Sequence, residues 1–156
     1  MSIIRIVGAP ATGKTRLREH IAKVLSLPSF GIDDERNTYG WGDGAWAVLA
    51  SKVRSHPNCI VETSGFSHND ITVFSDSKTF DILCTASRSV RLARLNQRVQ
   101  DGYMLARGDT GYVAKLLIMN SPKLTPHAEI NSDNGWGADQ LQQLVERCRD
   151  FLNAGT

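Results

Sequence analysis

Residues Gly8-Ala9-Pro10-Ala11-Thr12-Gly13-Lys14-Thr15 satisfy the spacing GxxxxGK(S/T), and each residue type in it has a chemical reason. Gly8 and Gly13 let the backbone turn tightly enough for successive N–H groups, Ala11 and Thr12 among their owners, to face a single anion. A helix starting at this turn adds the partial positive charge of its N-terminus. Lys14 can then reach the outer phosphates of a nucleoside triphosphate, and the Thr15 hydroxyl can ligate Mg²⁺. An ordinary glycine turn before a helix has no use for a lysine aimed into a ring of amides. The spacing therefore points to ATP and Mg²⁺ as ligands.

Further chemistry-bearing residues fall at strand and helix ends. Asp33-Asp34 follows a plausible strand, Ser29 to Ile32, where a carboxylate beside the loop can take the proton of an attacking hydroxyl; the alternative is an acidic pair capping a turn. Glu62 closes the apolar run Cys59-Ile60-Val61, a position suited to assisting Mg²⁺ through water or to a plain strand-end acid. Thr63 and Ser64 come next and can line an acceptor pocket. Missing is the run of four apolar residues ending in Asp-Glu that marks ATPase motors. Arg91, Arg94 and Arg98 lie within about 60° of one another at about 100° per residue of helix, and Arg107 follows in a loop. Such a stretch resembles the small lid of P-loop kinases, about residues 98–112 here, and the resemblance implies that Arg98 and Arg107 meet the charge developing in phosphoryl transfer. Arg91 and Arg94 either face solvent or hold an acceptor phosphate. Trp41, in Tyr39-Gly40-Trp41-Gly42, can stack on an acceptor base, and Trp136 lies ahead of the last helix, where the resemblance to P-loop kinases implies a contact with adenine. Trp46 has the spacing of a core residue.

These residues need a frame. Ile3 to Val7 reads as a buried strand. A helix carrying Leu17, Ile21, Val24 and Leu25 on one face follows and ends before Pro28. Trp46, Leu49, Ala50 and Val53 outline a second helix with Asp43 near its cap. Strands are expected at Cys59–Val61, Phe80–Cys84 and Ala128–Asn131, and a short helix within 68–77. Further helices are expected from about Ser87 to Gln100, from Val113 to Met119, and at the C-terminus through Leu141, Leu144, Val145, Cys148 and Leu152. Strands alternating with helices imply an α/β fold: three layers, a mainly parallel five-stranded sheet with helices on both faces, and ligands bound beyond the strand C-termini.

With 156 residues, 41% of them hydrophobic, one domain spanning 1–156 is expected, with a core that needs neither disulfide nor structural metal. The net charge of +2 is unevenly placed: residues 1–85 are neutral, residues 86–108 carry five arginines against Asp101, and the remainder is slightly acidic. Cys59, Cys84 and Cys148 are odd in number and set in apolar contexts, as expected of reduced, buried thiols in a cytoplasmic chain. His20, His56, His68 and His127 lack zinc-ligand spacing. No signal peptide, membrane span, repeat, linker or obligate protein partner is indicated.

From Ile6 to Arg36 the chain resembles the kinase domain of phage polynucleotide kinases: a phosphate loop, a helix of similar length, then Asp33-Asp34-x-Arg36. The resemblance implies a P-loop NTPase fold that moves the γ-phosphate of ATP to a nucleic-acid 5′-hydroxyl. It implies Asp33 as the general base, Arg36 as a ligand of a substrate phosphate, and Arg98 with Arg107-Gly108 as lid contacts. After Arg36 the glycines and tryptophans depart from the family's charged helix. The expected function is an ATP-dependent kinase acting on a hydroxyl of a nucleic acid or nucleotide, such as a 5′-hydroxyl or a hydroxymethyl-pyrimidine in phage DNA. A metabolite or nucleoside monophosphate kinase is the alternative, and a nucleotide-dependent switch or ATPase comes third.

Overall fold

Strand β1 (Ser2–Val7) is buried at all six positions because it is flanked on both edges. A computed structural model describes residues 1–101 and 124–154, so Arg107, most of the expected lid and the expected Val113–Met119 helix lie outside the described residues. The remaining strands are β2 (Ser29–Gly31), β3 (Asn58–Glu62), β4 (Lys78–Thr85) and β5 (Ala128–Asn131). They form a five-stranded sheet in the order β2-β3-β1-β4-β5, and every described pairing is parallel. Ile4 stands opposite Ile60 on one side and Phe80 on the other.

Strand alternation gives the sheet two apolar faces. Ile4, Ile6, Ile60, Ile82 and Ile130 pack against Leu17 and Ile21 of α1 (Lys14–Leu25) and Leu144, Val145 and Cys148 of α6 (Ala138–Asn153). Ile3, Cys59 and Val61 point the other way, onto Ala45, Trp46, Leu49 and Val53 of α3 (Asp43–Arg54). Trp46 is core, as its spacing implies, whereas Val24 of α1 is exposed rather than packed. The one cation in β1, Arg5, is buried opposite Asp81 and pairs with it at 2.7 and 3.0 Å, while its third contact is the Asp70 carbonyl. A central strand tolerates that charge only because its partner is in register beside it.

The sheet aims its strand ends at one region. The loop after β1 runs into α1, the turn after β3 leads to α4 (His68–Thr72), and β4 leads into α5 (Arg88–Gln100). One helix was not expected: β2 stops at Gly31 and α2 (Ile32–Tyr39) starts at once. Among the described residues, no helix is long and apolar enough to cross a membrane.

Candidate active site

The loop between β1 and α1 is shaped by close approaches that only certain residues allow. A Cβ on Gly8 would stand 2.4 Å from the Cys84 carbonyl oxygen of neighbouring β4. Gly13 (φ +96°) ends the turn, with the Trp136 ring so near that a Cβ would meet it at 3.1 Å. Ala11 has φ +64°, a left-handed conformation that costs a non-glycine residue about 1–2 kcal/mol. Thr12 is buried and its hydroxyl donates to the Ala9 carbonyl at 2.8 Å. Lys14 Nζ donates to the same carbonyl at 3.0 Å.

Lys14 opens α1, whose first turn holds no acidic residue and whose N-cap, Gly13, has no side chain to cap it. Burial pulls the Lys14 ammonium below its usual pKa, while Glu62, Cys84 and Asp33 pull it back up and Arg98 presses it down. A half-buried cation at a helix start is a site that an anion would relieve. The loop therefore fits a nucleotide phosphate.

Beside Lys14, Thr15 donates to Glu62 Oε1 at 2.9 Å. Glu62 is buried at the end of β3. Burial raises its pKa, and Arg18, Lys14 and the Thr15 hydroxyl act against that rise. Its second oxygen is enclosed and accepts no hydrogen bond; Arg18 Nε lies 3.4 Å away without the geometry of one. A hydroxyl and a carboxylate whose second buried oxygen accepts no hydrogen bond fit a hydrated Mg²⁺, which takes few protein ligands and keeps several waters.

The acids expected at a strand end occupy the first turn of α2 instead, because Gly31 caps the helix directly. Asp33 is exposed and accepts from Arg36 Nη1 at 3.0 Å. Asp34 accepts from Arg18 Nη1, also at 3.0 Å, so Arg18 spans Asp34 and Glu62. The Arg36 guanidinium lies 4.4 Å from the Trp41 ring and 5.9 Å from that of Trp46. Trp41 itself is 58% exposed. Thr63 is buried, its N–H donates to Ile6, and its hydroxyl has no hydrogen-bond partner. Ser64 accepts the Gly8 N–H through its carbonyl at 3.1 Å.

Two arginines do something other than expected. Arg91 is buried and its Nε donates to the Pro10 carbonyl at 3.0 Å. Arg94 donates to the Ala11 carbonyl at 3.0 Å, and to the hydroxyl and carbonyl of Ser132 at 2.8 Å each. They hold the back of the loop, so neither is a solvated surface residue. Arg98, one turn further on, is exposed and close enough to Lys14 to bear on its charge. Trp136 is half-buried against Gly13, with the Arg16 guanidinium 5.7 Å from its ring.

Among solved structures, a provisionally assigned kinase from Chloroflexus aurantiacus J-10-fl is 23% identical with a TM-score of 0.72, over 99% of this chain and 97% of that one. A gluconokinase from Sinorhizobium meliloti 1021 is 15% identical at TM-score 0.63, covering 98% of this chain and 92% of its own. The Mycobacterium tuberculosis APS kinase, solved with AMPPNP and APS, is 13% identical at TM-score 0.62, covering 97% of both chains. The fold is that of the small P-loop kinases. No family model matches the sequence, and no curated protein matches it significantly.

Within a P-loop kinase fold the strand ends bring together the loop, the Thr15–Glu62 pair and the Asp33–Arg36–Trp41 cluster. Sequence reasoning passed over Arg18, Ser132 and Glu35. Arg18 had a signal, since it lies one helical turn after Lys14 on the same face. Ser132 also had one, being the first residue beyond β5 at the end of the sheet where ligands gather. Glu35, buried against Lys52 at 2.6 Å, belongs to the helix that was not foreseen.

Proposed function

We propose that the protein is an ATP- and Mg²⁺-dependent kinase whose acceptor is a hydroxyl of a nucleotide or nucleic acid. The observation that carries this reading is the pairing of a phosphate loop with an exposed carboxylate, Asp33, whose charge bears on Lys14. The amides of residues 11, 12 and 13 and the Lys14 ammonium hold the triphosphate, while Gly8, whose N–H is given to the Ser64 carbonyl, shapes the loop through its close approach to Cys84. Thr15 and Glu62 hold the metal, which when bound neutralises charge on the phosphates. Asp33 takes the proton from the acceptor hydroxyl as its oxygen bonds to the γ-phosphorus, and the bond to the β-phosphate oxygen breaks to release ADP. Arg36, backed by Trp41, holds a phosphate of the acceptor, and Asp34, Thr63 and Ser64 frame it. Arg98 and Arg107 meet the charge of the transferring group.

The nucleic-acid acceptor rests on the likeness of Asp33-Asp34-x-Arg36 to polynucleotide kinases and on the aromatic face that Trp41 offers to a base. The likeness in fold to a gluconokinase and an APS kinase favours a second reading, a kinase of a small metabolite or nucleoside monophosphate. A panel decides between them: labelled ATP with 5′-hydroxyl oligonucleotides, hydroxymethyl-pyrimidine DNA, nucleosides, nucleoside monophosphates and sugar acids, at low and high salt. Transfer to oligonucleotides that falls steeply with salt supports the first. Salt-insensitive transfer to a small acceptor alone supports the second, and no transfer to any acceptor removes both. Asp33→Asn is expected to lower kcat about 10²- to 10⁴-fold while ATP binding is retained; undiminished turnover would remove Asp33 as the base.

A further inference from the structure

In a trans peptide the carbonyl of one residue and the N–H of the next point in opposite directions. Fixing the carbonyls of residues 10, 11 and 12 therefore fixes the amides of 11, 12 and 13, the groups a phosphate would meet. All three carbonyls are held from behind by side chains of other elements. Arg91 Nε holds Pro10 at 3.0 Å, Arg94 Nη1 holds Ala11 at 3.0 Å, and Ser132 Oγ holds Thr12 at 2.7 Å. Arg94 also grips the hydroxyl and the carbonyl of Ser132, so the α5 arginine and the serine after β5 act as one unit. The carbonyl just before these three, that of Ala9, precedes proline and so has no amide behind it; this is the one that accepts from Lys14 and Thr12.

The residue at the centre of the bracing, Ala11, is also the one in a disfavoured left-handed conformation. Such a conformation persists only where its surroundings impose it. We infer that Arg94, with Ser132, is a positioning residue that forces Ala11 into its left-handed turn and so presets the loop amides for phosphate. The inference rests on the proposed binding of ATP by this loop.

The coupling to Ala11 separates this role from a general structural one. Glycine adopts the left-handed turn without strain, so the loop should need the brace far less once residue 11 is glycine. Affinity for the β,γ-imido analogue of ATP is measured by calorimetry in the wild type and in Arg94→Met, Ala11→Gly and the double variant, with circular dichroism melts confirming folding. Arg94→Met is expected to weaken binding about tenfold, the worth of one charge-assisted hydrogen bond. In the Ala11→Gly background the same change should cost no more than about threefold, because glycine populates the left-handed region freely. Ser132→Ala, which removes a single hydroxyl, carries the same expectation should Arg94→Met fail to fold.

A wild type that binds the analogue while Arg94→Met and Ser132→Ala bind it equally well overturns the brace alone. Equal losses in both backgrounds also overturn it, since the arginine would then act independently of the strained turn. A wild type that does not bind the analogue overturns the ATP reading, and this inference with it.

Discussion

At the scale of single residues, Arg18 links the two halves of the candidate site. Its guanidinium contacts Asp34 at 3.0 Å and stands 3.4 Å from Glu62, and the space it fills is the one a side chain at position 31 would occupy. A Cβ on Gly31 would lie 2.2 Å from Arg18 Nη1. The Gly31 backbone is extended (φ −131°), so alanine meets no backbone strain there, and the obstacle is the far end of a flexible side chain. Gly8 differs, because its obstacle is the Cys84 carbonyl in the sheet. Gly31→Ala should therefore leave the melting temperature within a few degrees yet lower kcat about tenfold, because displaced groups misalign the reacting atoms. Arg18→Met should show a similar loss, and the double variant little more than either, as befits residues acting through one contact. Multiplicative losses in kinetic assays would show that the two positions act separately. Nothing in the sequence announces this pair, since a glycine within the short strand expected over Ser29 to Ile32 gives no sign of which side chain later fills its space.

At the scale of elements, α2 shows where pattern reading stops. Its sequence, Ile32 to Tyr39, buries only Ile32 and Glu35, so it lacks the apolar stripe by which α1, α3 and α6 could be read. What favours it is electrostatic: Asp33, Asp34 and Glu35 fill its first turn, where acids offset the helix dipole. The phosphate loop was legible because its chemistry is local in sequence. The Asp33–Arg36 contact was half legible, as a motif without the helix that sets its i, i+3 geometry. Glu35 joins α2 to α3 through Lys52 at 2.6 Å, the carboxylate buried and the ammonium about half-exposed. That asymmetry sets the sign of two substitutions. Lys52→Met strands a buried carboxylate and should lower the melting temperature more than Glu35→Gln, which leaves a neutral amide beside a lysine that can turn to water. Thermal melts of both variants test the order, and a reversal would mean that the ion pair does not fasten α2.

At the scale of the whole molecule, the three described thiols report on both packed layers. Cys59 lies in the α3 layer, and Cys84 and Cys148 in the layer of α1 and α6. Burial pushes Cys59 up to about 11 and the other two up to about 12, from an ordinary value of 9.0. A thiol that holds its proton more tightly in the folded chain contributes its full stability below pH 9 and loses it as pH climbs towards 11–12. Melting temperatures should accordingly decline from about pH 9 upward. At pH 8 an ordinary thiol is about one-tenth ionised, whereas one at 11 is ionised about once in a thousand molecules, before its burial is counted. The native protein should therefore resist a disulfide reagent such as DTNB at pH 8, and all three thiols should react in denaturant. If labelling passes through global unfolding, saturation with Mg²⁺ and the imido analogue at about 100 times Kd should slow it about a hundredfold at every cysteine. Peptide mapping then reads each layer separately. Equal slowing at Cys59 and Cys148 means that the sheet and its two layers open together, whereas fast, nucleotide-insensitive labelling at Cys59 alone would show that the α3 layer opens while the phosphate loop stays formed.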